Sequence, residues 1–150
     1  MALEATLAYL HILAILTMVT FLASEAALCR SAWMNAQVVE RLVRLDMIYA
    51  AAAVTVLATG IARTVWGVKG MGWYWTNPLL HLKLTLFVVI VLISIGPTLR
   101  FVRWRRQLRA SGALPTEAEV RSTRKLVMIE AHLVAVIPLA AVFLARGYGG

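Results

Sequence analysis

The chain has 150 residues, of which 61% are hydrophobic, and its mean hydropathy is +0.80. Its 15 lysines and arginines against seven aspartates and glutamates give a formal net charge of +8. This composition indicates a membrane protein rather than a soluble one, and the single cysteine, Cys29, excludes an intrachain disulfide and a thiolate metal cluster.

Four apolar segments are each long enough to cross a hydrocarbon layer of about 30 Å as a helix of about 20 residues. They are residues 5–29, 41–65, 78–104 and 126–145. These segments are too long for barrel strands, and a helix satisfies its own backbone hydrogen bonds in lipid. Because the connections are short, we predict an all-α fold, an integral membrane four-helix antiparallel bundle that forms a single domain over residues 1–150.

The first segment could be mistaken for a cleaved secretory signal, because it ends in Ala-Ala-Leu-Cys at Cys29. Three features indicate otherwise. Glu4 and no basic residue precede the apolar run, the run is longer than that of a signal, and Leu28 stands where a small residue is expected. We therefore predict that this segment is a permanent span.

Basic residues concentrate at one end of the predicted bundle. The connections at that end carry Arg30, Arg41, Arg44, Arg100, Arg103, Arg105, Arg106, Arg109, Arg121, Arg124 and Lys125, and those at the other end carry Arg63, Lys69 and Arg146. Because lysine and arginine accumulate on the cytoplasmic side, we predict a multi-pass protein of the bacterial inner membrane with both termini periplasmic. The basic rim is expected to contact anionic lipid headgroups rather than nucleic acid.

Two of the connections carry further signals. Thr116 followed by Glu119 predicts a capping box that starts the fourth helix before the membrane. The connection "WGVKGMGWYWTNP", which begins at Trp66, is rich in aromatic residues and is typical of an interfacial belt. A lid over a site, or a docking surface for a partner, is the alternative interpretation of this connection.

Ionisable side chains inside the spans are the main functional signal, because they are costly in hydrocarbon and normally face the bundle interior. They are His11, Glu25, Asp46, His81, Lys83, Glu130 and His132. Glu25, Asp46 and Glu130 each lie five residues from a basic residue at the cytoplasmic boundary. At 1.5 Å of rise per residue, the three carboxylates are expected at one level, about 7 Å inside that boundary.

Carboxylates that converge from several helices are how bundle proteins hold pairs of metal ions. We therefore predict a mono- or di-metal centre of Fe, Mn or Zn with Glu25, Asp46 and Glu130 as ligands. The usual Glu-x-x-His spacing is absent, so His132 or water would have to complete the site. The structural alternative is that the carboxylates pair with Arg44, Arg100 or Arg124 at the inner rim.

A second polar layer is expected in the outer half, where His11, His81 and Lys83 lie near the starts of the first and third spans. His11 and Glu25 are 14 residues apart, nearly four turns, so one stripe of the first helix carries both layers. A buried neutral histidine is a good axial ligand for haem iron, which makes His11 and His81 the candidate cofactor ligands. Lys83 would balance a propionate or donate a proton, unless it only extends to the headgroups.

Two stretches of the sequence resemble a known family. "LAYLHILAILTMV", with His11, and "LLHLKLTLFVVIVL", with Lys83, are similar to the first and third spans of the four-helix, oxygen-independent protoporphyrinogen oxidases of the HemJ type. That family pairs a first-span histidine implicated in haem binding with a lysine in an H-x-K-L stretch of the third span. The resemblance implies an oxidoreductase with a porphyrin-like substrate, in which His11 and Lys83 are the catalytic residues.

The whole chain more strongly resembles a family of small bacterial membrane proteins of unknown function. The similar stretches include "RLDMIYAAAAVTVLATGIAR", "NPLLHLKL", "PTLRFVRWRR" and the terminal "ARGYG". This resemblance implies the four-span fold but no particular activity.

The sequence therefore favours a redox protein that binds haem b in the bundle, with the carboxylate-ligated metal centre as the alternative. A proton-coupled transporter, with the acids as a relay, and a structural membrane subunit remain as further alternatives. Small-residue faces such as "AAAAVTVLATG" are compatible with a homodimer and also with packing inside one bundle.

Overall fold

The computed structural model describes residues 2–148, and the predicted domain also includes Met1, Gly149 and Gly150, which lie outside the described residues. Within residues 2–148 the chain forms five α-helices and a short 3-10 turn at Ser31–Trp33. The helices are α1 (Ala2–Leu28), α2 (Ala36–Val65), α3 (Met71–Thr76), α4 (Pro78–Ser111) and α5 (Glu117–Ala145).

Helices α1, α2, α4 and α5 are each long and apolar enough to cross a membrane. They contain the four predicted segments, apart from Cys29 just after α1, so the prediction of an all-helical membrane protein is confirmed. Helices α4 and α5 continue beyond their apolar segments at the end of the bundle that carries the arginines. Two ion pairs join the helices there, Arg109 with Glu40 at 2.8 Å and Arg103 with Glu119 at 2.8 Å.

Local side-chain chemistry fixes where the helices begin and end. The Thr116 hydroxyl accepts a hydrogen bond from the Glu119 backbone N–H, and the Glu119 carboxylate accepts one from Thr116, so the predicted capping box is confirmed. The Asn77 side chain caps α4 in the same manner, by accepting from Leu79 N–H at 2.9 Å. Helix α4 ends at Gly112, whose φ of 71° is a left-handed conformation that glycine adopts readily.

The four long helices pack as two hairpins. Helix α1 packs closely along α2, and α4 packs closely along α5, whereas the α2–α4 and α1–α5 seams between the hairpins are less extensive. The side chains that fill the interior include Leu22, Leu42, Ile90, Phe101 and Trp104, all fully buried or nearly so. In the following, the basic end is the end with Ser31–Trp33, and the aromatic end is the end with α3.

One stripe of α1 faces the interior. Its buried residues are His11, Ala14, Met18, Leu22 and Glu25, which recur every three or four residues. The prediction that His11 and Glu25 share a stripe is therefore confirmed. The two polar residues stand at opposite ends of this stripe, and an apolar layer separates them.

Candidate functional site

A cavity of about 320 Å³ lies between the two hairpins, in the half of the bundle near the aromatic end. We call it the His11 cavity, because His11 of α1 and Lys83 of α4 supply its ionisable groups. Gly60 of α2 and Pro138 of α5 form parts of the other walls, and most of the remaining lining is aliphatic or aromatic. The cavity therefore joins two polar groups from different hairpins inside an apolar wall.

The imidazole of His11 is held in one orientation by α2. Its Nδ1 lies 2.8 Å from the Thr59 hydroxyl oxygen, and that hydroxyl donates its one proton to the Thr55 carbonyl at 2.6 Å. With its proton in that bond to the Thr55 carbonyl, Thr59 accepts from His11 Nδ1–H, which is the Nδ1–H tautomer of the ring. In a neutral imidazole this leaves Nε2 with its lone pair free, which is the state that ligates a metal or accepts a proton.

Gly60 lets the imidazole approach α2 closely. A Cβ atom at position 60 would lie 3.2 Å from His11 Cε1, which is closer than an ordinary van der Waals contact. From the sequence, Thr59 and Gly60 are recognisable only as two small residues that allow helices to approach closely. The structure shows that Thr59 accepts a hydrogen bond from His11 and that Gly60 leaves space for the imidazole ring, because α1 packs on α2.

Lys83 brings to the His11 cavity an amino group that has no carboxylate partner among the described residues. The side chain is half-buried, and no carboxylate is among the residues that line the cavity. Within residues 2–148 the ion pairs all lie at the basic end and none includes Lys83. Since an ammonium group in apolar surroundings is stabilised by an anion, the cavity is suited to a ligand with an acidic group.

Pro138 interrupts the hydrogen bonding of α5 in the cavity wall. Proline has no backbone N–H, so the Val134 carbonyl, one turn earlier, has lost its usual helical donor. Val134 and Pro138 both line the His11 cavity. The proline ring therefore stands in the cavity wall at a point where α5 lacks one helical hydrogen bond.

His81 lies outside the His11 cavity, although the sequence suggests it as a second cofactor ligand. It is exposed at the aromatic end, and its Nε2–H donates to the Trp75 carbonyl at 2.8 Å. Trp75 itself does line the cavity, whereas Trp66 is 60% exposed. In the aromatic connection, Trp75 therefore forms part of the wall of the His11 cavity, whereas Trp66 lies at the surface.

The three predicted carboxylates come together deep in the bundle, in the half near the basic end. Glu25, Asp46 and Glu130 are each 1–3% exposed, and the helices of Asp46 and Glu130, α2 and α5, both pack against α1, which carries Glu25. Tyr49 donates its hydroxyl to Glu130 Oε2 at 3.2 Å, and Thr98 donates to Asp46 Oδ1 at 2.9 Å. We call these five residues the carboxyl cluster.

The sequence analysis did not identify Tyr49 and Thr98 as members of the carboxyl cluster. Tyr49 follows Asp46 by three residues and therefore lies on the same face of α2, a spacing that could have shown it. Thr98 belongs to α4, and no spacing in the sequence relates it to α2. Its contact depends on how the two hairpins meet.

The carboxyl cluster does not form the arginine pairs that the structural alternative required. Arg124 donates to the backbone carbonyls of Ala26 and Cys29, and Arg100 donates to the hydroxyls of Ser122 and Thr123. Two carboxylate oxygens, Oε1 of Glu25 and Oε1 of Glu130, are buried without any hydrogen-bond partner. Buried polar atoms without protein partners are rare, and water, a proton on the carboxyl group or a bound ion can satisfy them.

His132 does not join the carboxyl cluster. It is exposed on the outer face of α5, and its Nδ1–H donates to the Met128 carbonyl at 2.6 Å. Glu130 points inward, and a shift of two residues along a helix turns the side chain to the opposite side. In the part of the chain that the structure describes, no group of three or more His, Cys, Asp or Glu side chains has an arrangement ready to hold a metal ion.

Comparison with known proteins places the whole chain in one family. The model of a family described as "Predicted membrane protein (DUF2214)" matches residues 3–149. The chain belongs to the DUF2214 family. No curated protein and no solved structure matches this DUF2214 chain. Membership agrees with the four membrane-spanning helices and with the resemblance to membrane proteins of unknown function, and it assigns no activity.

Proposed function

We propose that the protein binds haem b in the His11 cavity and serves as a redox protein of the inner membrane. His11 Nε2 would be the axial ligand, and Lys83 would balance a propionate. The single observation that carries the proposal is the hydrogen bond from His11 Nδ1–H to Thr59, because it leaves Nε2 free for a ligand.

The chemistry of the His11 cavity suits such a group. Its volume of about 320 Å³ is smaller than a whole haem, so part of the ring would have to lie in the open side of the cavity or the helices would have to move apart. The wall is mainly apolar, as suits a porphyrin ring, and the two ionisable residues are those that the HemJ-type resemblance indicates. When bound, haem would supply one-electron chemistry. The protein would hold it, orient it through the fixed imidazole, and exclude water.

The test is the haem content of the purified protein. Wild type, expressed in a host that makes haem, is expected to contain iron and porphyrin in equal amounts, and His11→Ala is expected to lose both. His132→Ala is the matched control, because it removes an exposed histidine on the outer face of α5. His81→Ala should also keep haem. Wild type without haem, or His11→Ala with unchanged haem, would contradict the proposal.

Lys83→Met separates charge balance from packing. Methionine keeps most of the length of the side chain and removes the ammonium group, so the fold should be retained. If Lys83 balances a propionate, this variant should bind haem more weakly and shift its absorption spectrum. A variant that behaves as wild type in both measurements would mean that Lys83 only extends to the headgroups.

The carboxyl cluster supports a second candidate function, a carboxylate-ligated Fe, Mn or Zn centre. What favours it is the pair of unpartnered oxygens on Glu25 and Glu130, because a bound cation would satisfy both. The donor chemistry suits a metal ion, although the side chains would have to draw together around it and His132 would not take part. Without a cation, the buried carboxyl groups would have to stay neutral by holding protons.

Metal analysis of the purified protein decides whether the carboxyl cluster binds a cation or holds protons instead. A metal centre predicts bound Fe, Mn or Zn in wild type and its loss in Glu25→Gln. Glu40→Gln is the matched control, because Glu40 is an exposed glutamate that pairs with Arg109 on the surface. If wild type contains no metal other than the iron of bound haem, the proposal of a metal centre in the carboxyl cluster is wrong.

A further inference from the structure

The His11 cavity is open to the side of the bundle. Leu57 and Ile61 of α2 both line the cavity, yet they are 39% and 43% exposed. They are one helical turn apart and so form a continuous patch. A residue that both lines a cavity and faces outward marks a place where the cavity reaches the surface.

This opening lies at the seam between α2 and α4. Leu57 follows Asp46 by 11 residues, about three turns, and Asp46 contacts Thr98 of α4. On α4, Leu84 precedes Thr98 by 14 residues, about four turns, and also lines the cavity. Leu57 and Ile61 therefore face Leu84 across the seam between the hairpins.

The depth of the opening identifies its surroundings. Leu57 is eight residues, about 12 Å, from the end of α2 at Val65, and Ile61 is four residues, about 6 Å, from it. The opening therefore extends from near the end of α2 to a depth that lies within a hydrocarbon layer. Val142 of α5, another exposed lining residue, is three residues, about 5 Å, from the helix end at Ala145, so the cavity reaches the surface there only near the end of α5.

We propose that the His11 cavity takes its ligand sideways from the bilayer, through the opening formed by Leu57, Ile61 and Leu84, and that this ligand is an amphipathic carboxylic acid dissolved in the membrane. The apolar opening admits the hydrocarbon part, and Lys83 binds the carboxylate. The inference rests on the ligand cavity of the proposed function, and haem, with its propionates, is one member of this class. It does not require that the ligand contain iron.

The test uses a photoreactive long-chain fatty acid in lipid vesicles that contain the purified protein. After irradiation, mass spectrometry should find the label on interior lining residues such as Met18 and Phe87. Ile61→Trp should reduce this interior label several-fold by blocking the opening. Val54→Trp is the matched control, because Val54 is on the same helix, is 68% exposed and does not line the cavity. Lys83→Met should reduce the label by removing the carboxylate partner.

Three results would overturn the inference. The first is an absence of label from the interior of wild type. The second is an interior label that Ile61→Trp and Val54→Trp leave equally unchanged. The third is loss of the label in Val142→Trp instead of Ile61→Trp, which would place access near the end of α5. Because the probe contains no haem, a protein that admits the fatty acid but binds no haem would disprove the proposed function and leave the lateral opening supported.

Discussion

Thr59→Val tests the role of the hydroxyl that orients His11. Valine has nearly the shape of threonine, so the packing of α1 on α2 should be retained while the acceptor for His11 Nδ1–H is lost. An unpartnered buried donor costs about 1–3 kcal/mol, and 1.4 kcal/mol corresponds to a factor of about ten in affinity. Loss of the partner of a metal-ligating histidine typically weakens ligand binding about 10–100-fold, which agrees with that range.

The assay is a haem titration of the purified apoprotein, followed by absorption. Thr59→Val should raise the dissociation constant by about one to two orders of magnitude. Thr55→Val is the control with the same chemical change one turn away, because the Thr55 hydroxyl is exposed and donates to the Ala51 carbonyl. If Thr59→Val binds haem as tightly as Thr55→Val, the hydrogen bond does not prepare His11 as a ligand.

Three further predictions concern the cavity, the carboxyl cluster and the orientation. Gly60→Val should abolish haem binding, because even a Cβ there lies 3.2 Å from His11 Cε1; unchanged haem content would contradict this. Tyr49→Phe leaves Glu130 Oε2 without its hydrogen-bond donor, so it should lower the free energy of unfolding by about 1–3 kcal/mol, measured in detergent. Tyr9→Phe is the control, because the Tyr9 ring is exposed, and it should have no effect. Reporter fusions should find the α4–α5 connection in the cytoplasm and the C-terminus in the periplasm, and a cytoplasmic C-terminus would reverse the orientation.

Much of the fold could be predicted because lipid imposes strong constraints on the sequence. A span must satisfy its backbone internally and must be apolar over about 20 residues, so the four helices are visible as four segments. The capping box at Thr116 is equally local, since its two partners are three residues apart. The continuation of α4 past Trp104 is less visible, because "RRQLRAS" is polar; in the structure Leu108 packs against the core and Arg109 pairs with Glu40 of α2.

The candidate sites were predictable to the extent that periodicity within one helix determines them. The shared stripe of His11 and Glu25, and the depth of the carboxylates, follow from counting residues along α1, α2 and α5. The outward direction of His132 follows from its spacing to Glu130, and the contact of Thr98 with Asp46 does not follow from any spacing. How the hairpins meet depends on side-chain packing between distant segments, which local patterns do not encode.

The most direct test of the central claim is resonance Raman spectroscopy of the reduced, haem-loaded protein, which detects the bond between iron and a histidine nitrogen. Wild type and His81→Ala should both show the iron–histidine stretching band, and His11→Ala to which the same amount of haem has been added should lack it. A band that persists in His11→Ala, or one that is absent from wild type, would contradict the assignment of His11 as the ligand.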